Sequence, residues 1–582
     1  MSTKATAKTL EALKQCGEAP EWMGMESYGT LSKGYLLKSE TPKQMWLRAS
    51  KASAARLKKP ELADKFFEIM WNNWLCCASP VLSNMGTQRG LPISCFASYS
   101  PDSIKGILDT AREIGLLSKQ GGGTSVHCQA IRCRGSDISG NGRSDGIIPF
   151  NKIWDSVVIG VSQGGVRRGA CASYADIEHG DAEEFLEMRR PSGDINRQCL
   201  NLHHGVCLSD AWMQKVVDND GKERNLWKKV LKTRFETGEP YLFFTDTVNR
   251  GNPECYKKHG LSVKGSNLCS EITLHTDEEH TFVCCLSSMN IARWDEWKDT
   301  DAVQLAIWFL DGVMEEFIDK TEDLDGFERA RRFAVKSRAL GLGVLGFHTL
   351  LQSKMLSFDS LQAYLLNKTI FKRIREEADK ATESLAIEYG EPEWCEGSKR
   401  RNSHTIAVAP TVSNSLISGN VSAGIEPLAA NAFAQKTAKG TFLQKNHQLE
   451  TVLVAHDKNT DEIWKSIITT EGSVQHLDFL TPEEKEVFLT ARELNQFTII
   501  KLAADRQQFI DQAQSINLFF PANVDPEYFN QVHLEAWKQG VKTLYYTRTS
   551  SVLKGDSGSR EHVQLNTETY KREASECVMC QG

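Results

Sequence analysis

The sequence predicts an α/β protein with a largely parallel, buried sheet. Two observations carry this. From about Pro80 to Thr547, helical patterns alternate with short apolar runs, the order that a parallel sheet with crossover helices requires. The runs include Gly205-Val-Cys-Leu, Thr281-Phe-Val-Cys-Cys-Leu and Thr405-Ile-Ala-Val-Ala, which suit strands covered on both faces.

The elements follow in order. Residues 1 to about 80 read as helical, and Trp22, Trp46, Phe66, Phe67, Trp71 and Trp74 offer a core face. Leu62-Ala-Asp-Lys-Phe-Phe-Glu-Ile-Met-Trp repeats its apolar residues at helical spacing. Residues 81–548 hold the strand-helix alternation, including a helix from Ile370 to Tyr389 that Gly390 closes. Residues 549–582 are mostly polar, with Ser550, Ser551, Ser557 and Ser559 around Gly555 and Gly558. Such a segment buries too little to offset its ordering entropy. It ends in Cys577-Val-Met-Cys580. A coil of about 28 residues spans roughly 30 Å, so this dithiol reads as tethered and able to visit a distant site.

Totals exclude several classes. The chain has 582 residues, 40% hydrophobic and 25% charged, with net charge −6. That balance gives no electrostatic case for a nucleic-acid partner. No run of about 18 apolar residues predicts a membrane span, and no apolar segment follows the N-terminus as a secretory signal would require. Scattered cysteines, 16 in all, predict reduced thiols and a cytoplasmic protein rather than a disulfide scaffold.

Asn267-Leu-Cys-Ser-Glu-Ile carries the sharpest chemical signal. If extended, it sets Asn267, Cys269 and Glu271 on one face. An amide, a thiol and a carboxylate together suit chemistry on a polyhydroxylated substrate; a strand with one buried Cys is the plain alternative. The tail Cys-x-x-Cys fits redox exchange better than zinc, because no second pair of ligands stands near it in sequence. Gly341-Leu-Gly-Val-Leu-Gly346 matches a dinucleotide fingerprint, but the charged helix pattern Arg331–Arg338 precedes it where a buried strand should. Close backbone packing in a turn is the better use of these glycines. Pro410-Thr-Val-Ser-Asn-Ser opens a helix with small hydroxyl residues, which suits either phosphate binding or simple capping. The loops Gly121-Gly-Gly-Thr-Ser and Gln163-Gly-Gly-Val-Arg-Arg-Gly add flexible backbone. His203-His204 has no acidic partner at motif spacing and reads as structural. No metal site is predicted: His-Glu-x-x-His and Glu-x-x-His are both absent from the sequence. Tyr545 and Tyr546 read as strand residues facing opposite ways.

Together these segments resemble the large, catalytic subunit of ribonucleotide reductase, most like class I. The markers are Ser27-Tyr-Gly-Thr-Leu-Ser-Lys-Gly-Tyr, Ala78-Ser-Pro-Val-Leu-Ser-Asn-Met-Gly-Thr, Ser94-Cys-Phe, the Asn267 run, Cys284-Cys-Leu-Ser-Ser-Met-Asn, the Gly341 and Pro410 runs, Leu544-Tyr-Tyr-Thr-Arg-Thr and Glu576-Cys-Val-Met-Cys. The resemblance implies a ten-stranded α/β barrel of two parallel half-barrels around a central finger loop, behind an N-terminal helical region. It makes Cys269 the transient thiyl radical that takes the 3′-hydrogen of the ribose. Glu271 accepts the 3′-hydroxyl proton, and Asn267 binds the sugar. Cys95 and Cys284 supply two reducing equivalents and become a disulfide; Cys284 is preferred to Cys285 on the spacing Cys-x-Leu-Ser-x-x-Asn. Cys577 and Cys580 then reduce that disulfide and are recycled by thioredoxin or glutaredoxin. Tyr545 and Tyr546 relay the radical from a metal-containing small subunit, so this chain binds no cofactor of its own.

Further implications concern nucleotides. Substrate diphosphate falls to Thr411, Val412, Ser413, Asn414 and Ser415, with Ser94 and Gly123 nearby. An ATP or deoxynucleotide effector falls to Asp102, Ser103, Ile104, Arg132 and Arg168, in an effector-dependent homodimer. Two departures stand out. The segment before Ser27 leaves no room for the ATP-cone of many relatives, and Val81 stands where many relatives have a threonine that contacts substrate. The alternative within the resemblance is the adenosylcobalamin-dependent class, which shares barrel, loop and cysteines. Outside it stand a zinc or thiol module built on the tail and a dehydrogenase built on the Gly341 run.

Overall fold

The structure is a computed structural model, and it describes residues 3–93, 95–163, 167–218, 221–437 and 440–549. Its centre is a closed barrel. Cys95–Tyr99, Gly123–His127, Cys171–Asp176, Leu202–Leu208 and Tyr241–Phe244 lie side by side, all parallel. A second parallel set starts with Phe282–Asn290 and Leu340–Leu345. It continues through the parallel bridges Leu342 to Ile406 and Val408 to Gln514, and then through Leu518–Phe520 beside Thr547–Thr549. Two antiparallel seams join the halves. Cys95–Tyr99 pairs Phe282–Asn290 at one, and Tyr241–Phe244 pairs Thr543–Leu544 at the other. Each half has five parallel runs, so ten close the ring, as the family resemblance implies.

The apolar runs become strands because both faces are covered. Every residue of Leu202–Leu208, Tyr241–Phe244, Phe282–Asn290 and Leu340–Leu345 is buried. Helices such as Ala302–Lys320 and Leu361–Tyr389 cover the outside. The latter starts at Leu361, earlier than the sequence reading placed it, because the Ser360 hydroxyl caps it. It ends as read, at Gly390 with φ 81°.

The N-terminal helices Thr3–Gln15, Met25–Leu31, Pro42–Arg56 and Ala63–Trp71 form the expected aromatic face. Trp46 packs at 5.9 Å against both Trp22 and Trp71. One short strand, Leu75–Cys77, breaks the all-helical reading of this region and pairs antiparallel with Phe282–Asn290. A second, smaller core gathers Leu449, Leu453, Trp464, Ile467 and Phe488 outside the barrel.

The Gly341 run corrects one expectation. It is a strand, not a turn. Its glycines allow neighbouring chain segments to approach: a Cβ on Gly343 would sit 2.6 Å from the Ala407 carbonyl oxygen, and one on Gly341 would sit 2.4 Å from Leu286 Cδ2 and 3.1 Å from Cys284 Sγ. Gly343→Ala should therefore lower stability by about 1–3 kcal/mol through overpacking. Chemical denaturation measures this; an unchanged midpoint and slope would contradict it.

Candidate active site

The first seam brings two cysteines face to face. Cys95 is the direct register partner of Cys284. Directly opposed residues of an antiparallel pair point to the same face, with Cα atoms about 4.5–5.5 Å apart. A disulfide spans about 4.4–6.8 Å between Cα atoms, so this pair can oxidise without moving the strands. Asn267 Nδ2 donates to Cys95 Sγ at 3.3 Å, and Gln512 Nε2 donates to Cys284 Sγ at 3.6 Å. Burial pushes the Cys284 thiol well above the ordinary range, only partly offset by the Gln512 amide. Cys285 is adjacent in the strand and so faces the other way. Burial raises its thiol too, and Cys77, Asp311 and Cys95 add to the rise in that order.

The run Asn267–Glu271 is not the extended segment that its alternation suggested. Between Glu254–Lys258 and Phe282–Asn290 no helix or strand forms. The Ser270 N–H donates to the Asn267 carbonyl at 3.3 Å, and Ser270 has φ 69°. A left-handed residue breaks the two-residue period, so convergence comes from a turn instead. Asn267, Cys269 and Glu271 are all buried.

Hydrogen bonds hold this loop inside the barrel from two sides. From the second half-barrel, Ser515 Oγ donates to the Cys269 carbonyl at 2.6 Å and to Glu271 Oε2 at 3.0 Å. The Ala513 N–H donates to the Glu271 carbonyl at 2.9 Å. From the first, Tyr174 Oη donates to the Asn267 carbonyl at 2.8 Å. Ser125 Oγ donates to the Ser266 carbonyl at 2.8 Å. Sequence reasoning missed Ser515, Gln512 and Tyr174. The signal for two of them was polar residues, Gln512, Gln514 and Ser515, opening an otherwise apolar run; all three are buried.

Tyr545 and Tyr546 also depart from their reading. The strand is interrupted at both residues, and the rings converge, with centroids 4.2 Å apart. Tyr241 lies 4.8 Å from Tyr545 and 5.1 Å from Tyr546. Tyr545 is anchored beside the loop, because its N–H donates to the Ile516 carbonyl at 2.9 Å. Tyr546 Oη lies 3.2 Å from His203 Nδ1, and the Arg548 guanidinium sits 4.5 Å over its ring.

His203 and His204 do have an acidic partner, supplied by the fold. Glu239 Oε1 is 2.6 Å from His203 Nδ1, and Glu239 Oε2 is 3.1 Å from His204 Nδ1. Arg189 Nε stands 3.3 Å from the same carboxylate. Burial alone would raise Glu239, but Arg189, His203 and His204 together hold it well below the usual carboxylate range. No local spacing rule could reveal a pairing between a strand and the residue just ahead of its neighbour, Tyr241–Phe244.

Of the phosphate candidates, Thr411 is left-handed at φ 58° and precedes the short helix Val412–Ile417 without a side-chain capping bond to it. Thr411 Oγ1 accepts from the Gly424 N–H at 2.8 Å and contacts Ser415 Oγ at 3.3 Å. Asn414 Oδ1 is buried without a hydrogen-bond partner. Val412 is exposed and Ser413 half-buried. Gly123 is the register partner of Cys95, so phosphate and thiol candidates share one strand end. Val81 is fully buried. Ser94, Cys577 and Cys580 lie outside the described residues, as does the side chain of Arg168. The effector candidates do cluster: Arg132 Nε binds Asp102 Oδ2 at 2.8 Å, Ser103 caps the helix Ile104–Lys119, and Ile104 is exposed.

Glu271 carries the most informative titration. Burial pushes its carboxyl up to about 7, against smaller opposing contributions from its own backbone, Asn267 and Ser515. Its Oε1 has no hydrogen-bond partner. An unfolded glutamate titrates near ~4.3. Between these values the folded chain holds a proton that the unfolded chain has lost, so this group's contribution to stability falls as pH rises through that window. Glu271→Gln should therefore raise the melting temperature little at pH 4 and most at pH 8. Scanning calorimetry across that range checks it; a gain independent of pH would contradict the raised carboxyl.

Comparison with known proteins agrees with this geometry. The family model for the ribonucleotide reductase barrel domain matches residues 93–222, 219–401 and 399–547, and that for the all-alpha domain matches residues 23–90. A Frog virus 3 chain assigned as a ribonucleoside-diphosphate reductase large subunit is 40% identical over 90% of this chain and 93% of its own length. The ribonucleoside-diphosphate reductase large subunit of Invertebrate iridescent virus 3 is 36% identical over 90% and 92%. Among solved structures, the class Id ribonucleotide reductase alpha subunit of Actinobacillus ureae superposes with a TM-score of 0.85 at 43% identity, covering 92% of this chain and 99% of that one. The two viral relatives are named as large subunits and the solved structure as a class Id alpha subunit, which sets the adenosylcobalamin alternative aside and implies a small-subunit partner. This chain belongs to the ribonucleotide reductase large-subunit family.

Proposed function

We propose that this chain reduces ribonucleoside diphosphates to 2′-deoxyribonucleotides with a thiyl radical on Cys269. The observation that carries the reading is the seating of the Asn267–Glu271 loop against the opposed pair Cys95 and Cys284, linked by the Asn267-to-Cys95 hydrogen bond. Cys269 removes the 3′-hydrogen of the ribose and returns it once the 2′-carbon is reduced, which restores the thiyl. Glu271, poised near neutral pH by burial, takes the 3′-hydroxyl proton. Asn267 orients the sugar. Cys95 and Cys284 each give up one hydrogen; one sulfur–sulfur bond forms, the 2′-hydroxyl leaves as water and a C–H bond replaces it. The raised Cys284 thiol stays protonated, which favours hydrogen donation over thiolate attack.

The radical comes from a metal-containing small subunit through Tyr546 and then Tyr545. Their ring contact supports transfer between them. When bound, that subunit supplies the one-electron oxidant; this chain supplies the path and excludes water. Cys577 and Cys580 reduce the Cys95–Cys284 disulfide and are renewed by thioredoxin or glutaredoxin. Thr411 to Ser415, with Ser94 and Gly123, take the substrate phosphates. Asp102, Ser103, Ile104, Arg132 and Arg168 take an ATP or deoxynucleotide effector in a homodimer. Among the described residues no helix is long and apolar enough to cross a membrane, and we assign the chain to the cytoplasm.

Cys269→Ala should abolish reduction while leaving effector binding intact, as read by turnover and equilibrium dialysis. Repeated turnover by that variant would remove the mechanism. Deleting residues 577–582 should limit thioredoxin-driven reaction to about one turnover per site while small dithiols still sustain it. Multiple thioredoxin-driven turnovers without those residues would refute the shuttle.

A further inference from the structure

The turn that follows the Cys269 loop carries three metal-ligating side chains that the reductase chemistry does not use. His275, Asp277 and His280 bring one ligand atom each within 4.8 Å of one another. His275 Nε2 lies 2.9 Å from Asp277 Oδ2, and His280 Nδ1 lies 2.8 Å from Asp277 Oδ1.

The deciding contact is on the other side of the His275 ring. Its Nδ1 lies 2.8 Å from the Ser262 carbonyl oxygen. A carbonyl only accepts, so Nδ1 carries the hydrogen. The neutral ring then aims a bare lone pair from Nε2 at a carboxylate oxygen, which is also an acceptor. Two acceptors 2.9 Å apart need a cation between them. That cation is either a second ring proton or a metal ion.

Several features fit a metal ion. An imidazole that donates its far N–H to a backbone carbonyl is the usual support of a metal-bound histidine. His280 Nε2 is buried with no hydrogen-bond partner, so no acceptor there dictates which nitrogen is protonated, and Nδ1 can present its lone pair. Trp394 packs edge-on against both rings, at 5.8 Å from His275 and 5.0 Å from His280, and fixes their orientation. The Glu279 N–H donates to Asp277 Oδ1 at 2.8 Å and holds the carboxylate in place. The Asp277 side chain is 35% exposed, which leaves a solvent-facing position for water. Glu278 stands on the same turn. The nearby Arg329 and Arg332 are paired with Glu113 and Glu279.

We propose that His275, Asp277 and His280 bind a divalent first-row ion, zinc by preference, with water as fourth ligand. Two imidazoles and a carboxylate match zinc's nitrogen and oxygen preference and its tetrahedral geometry. Binding displaces any proton between His275 and Asp277 to solvent. The ion pins the turn that joins the Cys269 loop to the strand of Cys284. The site is independent of the proposed reaction, and its test needs no turnover.

The test uses the full chain, stripped with a chelator and titrated with Co²⁺ under visible absorption. The expected result is one equivalent of nitrogen- and oxygen-ligated cobalt without thiolate charge-transfer bands, displaced by Zn²⁺. His280→Ala and Asp277→Asn should each weaken uptake by about tenfold or more. Asp277→Asn keeps the acceptor for the Glu279 N–H, and a wild-type melting temperature in the stripped variants verifies folding. No uptake by the wild type would overturn the proposal, since the bridging cation is then a proton. Undiminished uptake in both folded variants would overturn it too, as would thiolate bands that track all uptake and assign the ion to cysteines.

Discussion

The antiparallel seam between Cys95–Tyr99 and Phe282–Asn290 is the constraint on which the rest depends. Each half-barrel is parallel inside itself, and the two halves meet antiparallel here, first strand against first strand. That closure makes Cys95 and Cys284, which lie far apart in sequence and in different halves, direct register partners. The opposed thiol pair therefore rests on which strands close the ring.

The loop of Cys269 needs support from both halves, because it has no helix or strand of its own. Ser515 and Ala513 hold it from the second half, and Tyr174 and Ser125 from the first. This gives the loop carbonyls of Ser266, Asn267, Cys269 and Glu271 hydrogen-bond donors within the barrel interior. It also removes water from Glu271, which is why that carboxyl rises to about 7. Support, dryness and titration are three results of one arrangement. The tyrosines join it through the segment that supplies Ser515, since the Tyr545 N–H donates to the Ile516 carbonyl.

Much of this was legible in the sequence, and the failures have physical causes. The apolar runs at Gly205, Thr281 and Thr405 do become buried barrel segments, because burial on both faces leaves a compositional mark. The tryptophans of the first helices do pack together. Asn267, Cys269 and Glu271 were found as a group, but through a two-residue period that a left-handed Ser270 breaks. Gly341 and Gly343 suggested a turn, whereas they serve strand contacts made by segments far apart in sequence. His203 and His204 looked unpartnered because Glu239 reaches them only across the sheet. Tyr545 and Tyr546 converge where the strand is interrupted at both of them. In each case local pattern identified the residue, and a tertiary contact decided its use.

The central claim is that Cys95 and Cys284, opposed across the seam, are the thiols oxidised when substrate is reduced. The most direct measurement is peptide mapping by mass spectrometry after a single turnover without external reductant, on a chain lacking residues 577–582. The account predicts one new disulfide per site, joining Cys95 to Cys284, with Cys285 still a free thiol. A bridge from Cys95 to Cys285, or turnover that leaves both Cys95 and Cys284 reduced, would contradict it.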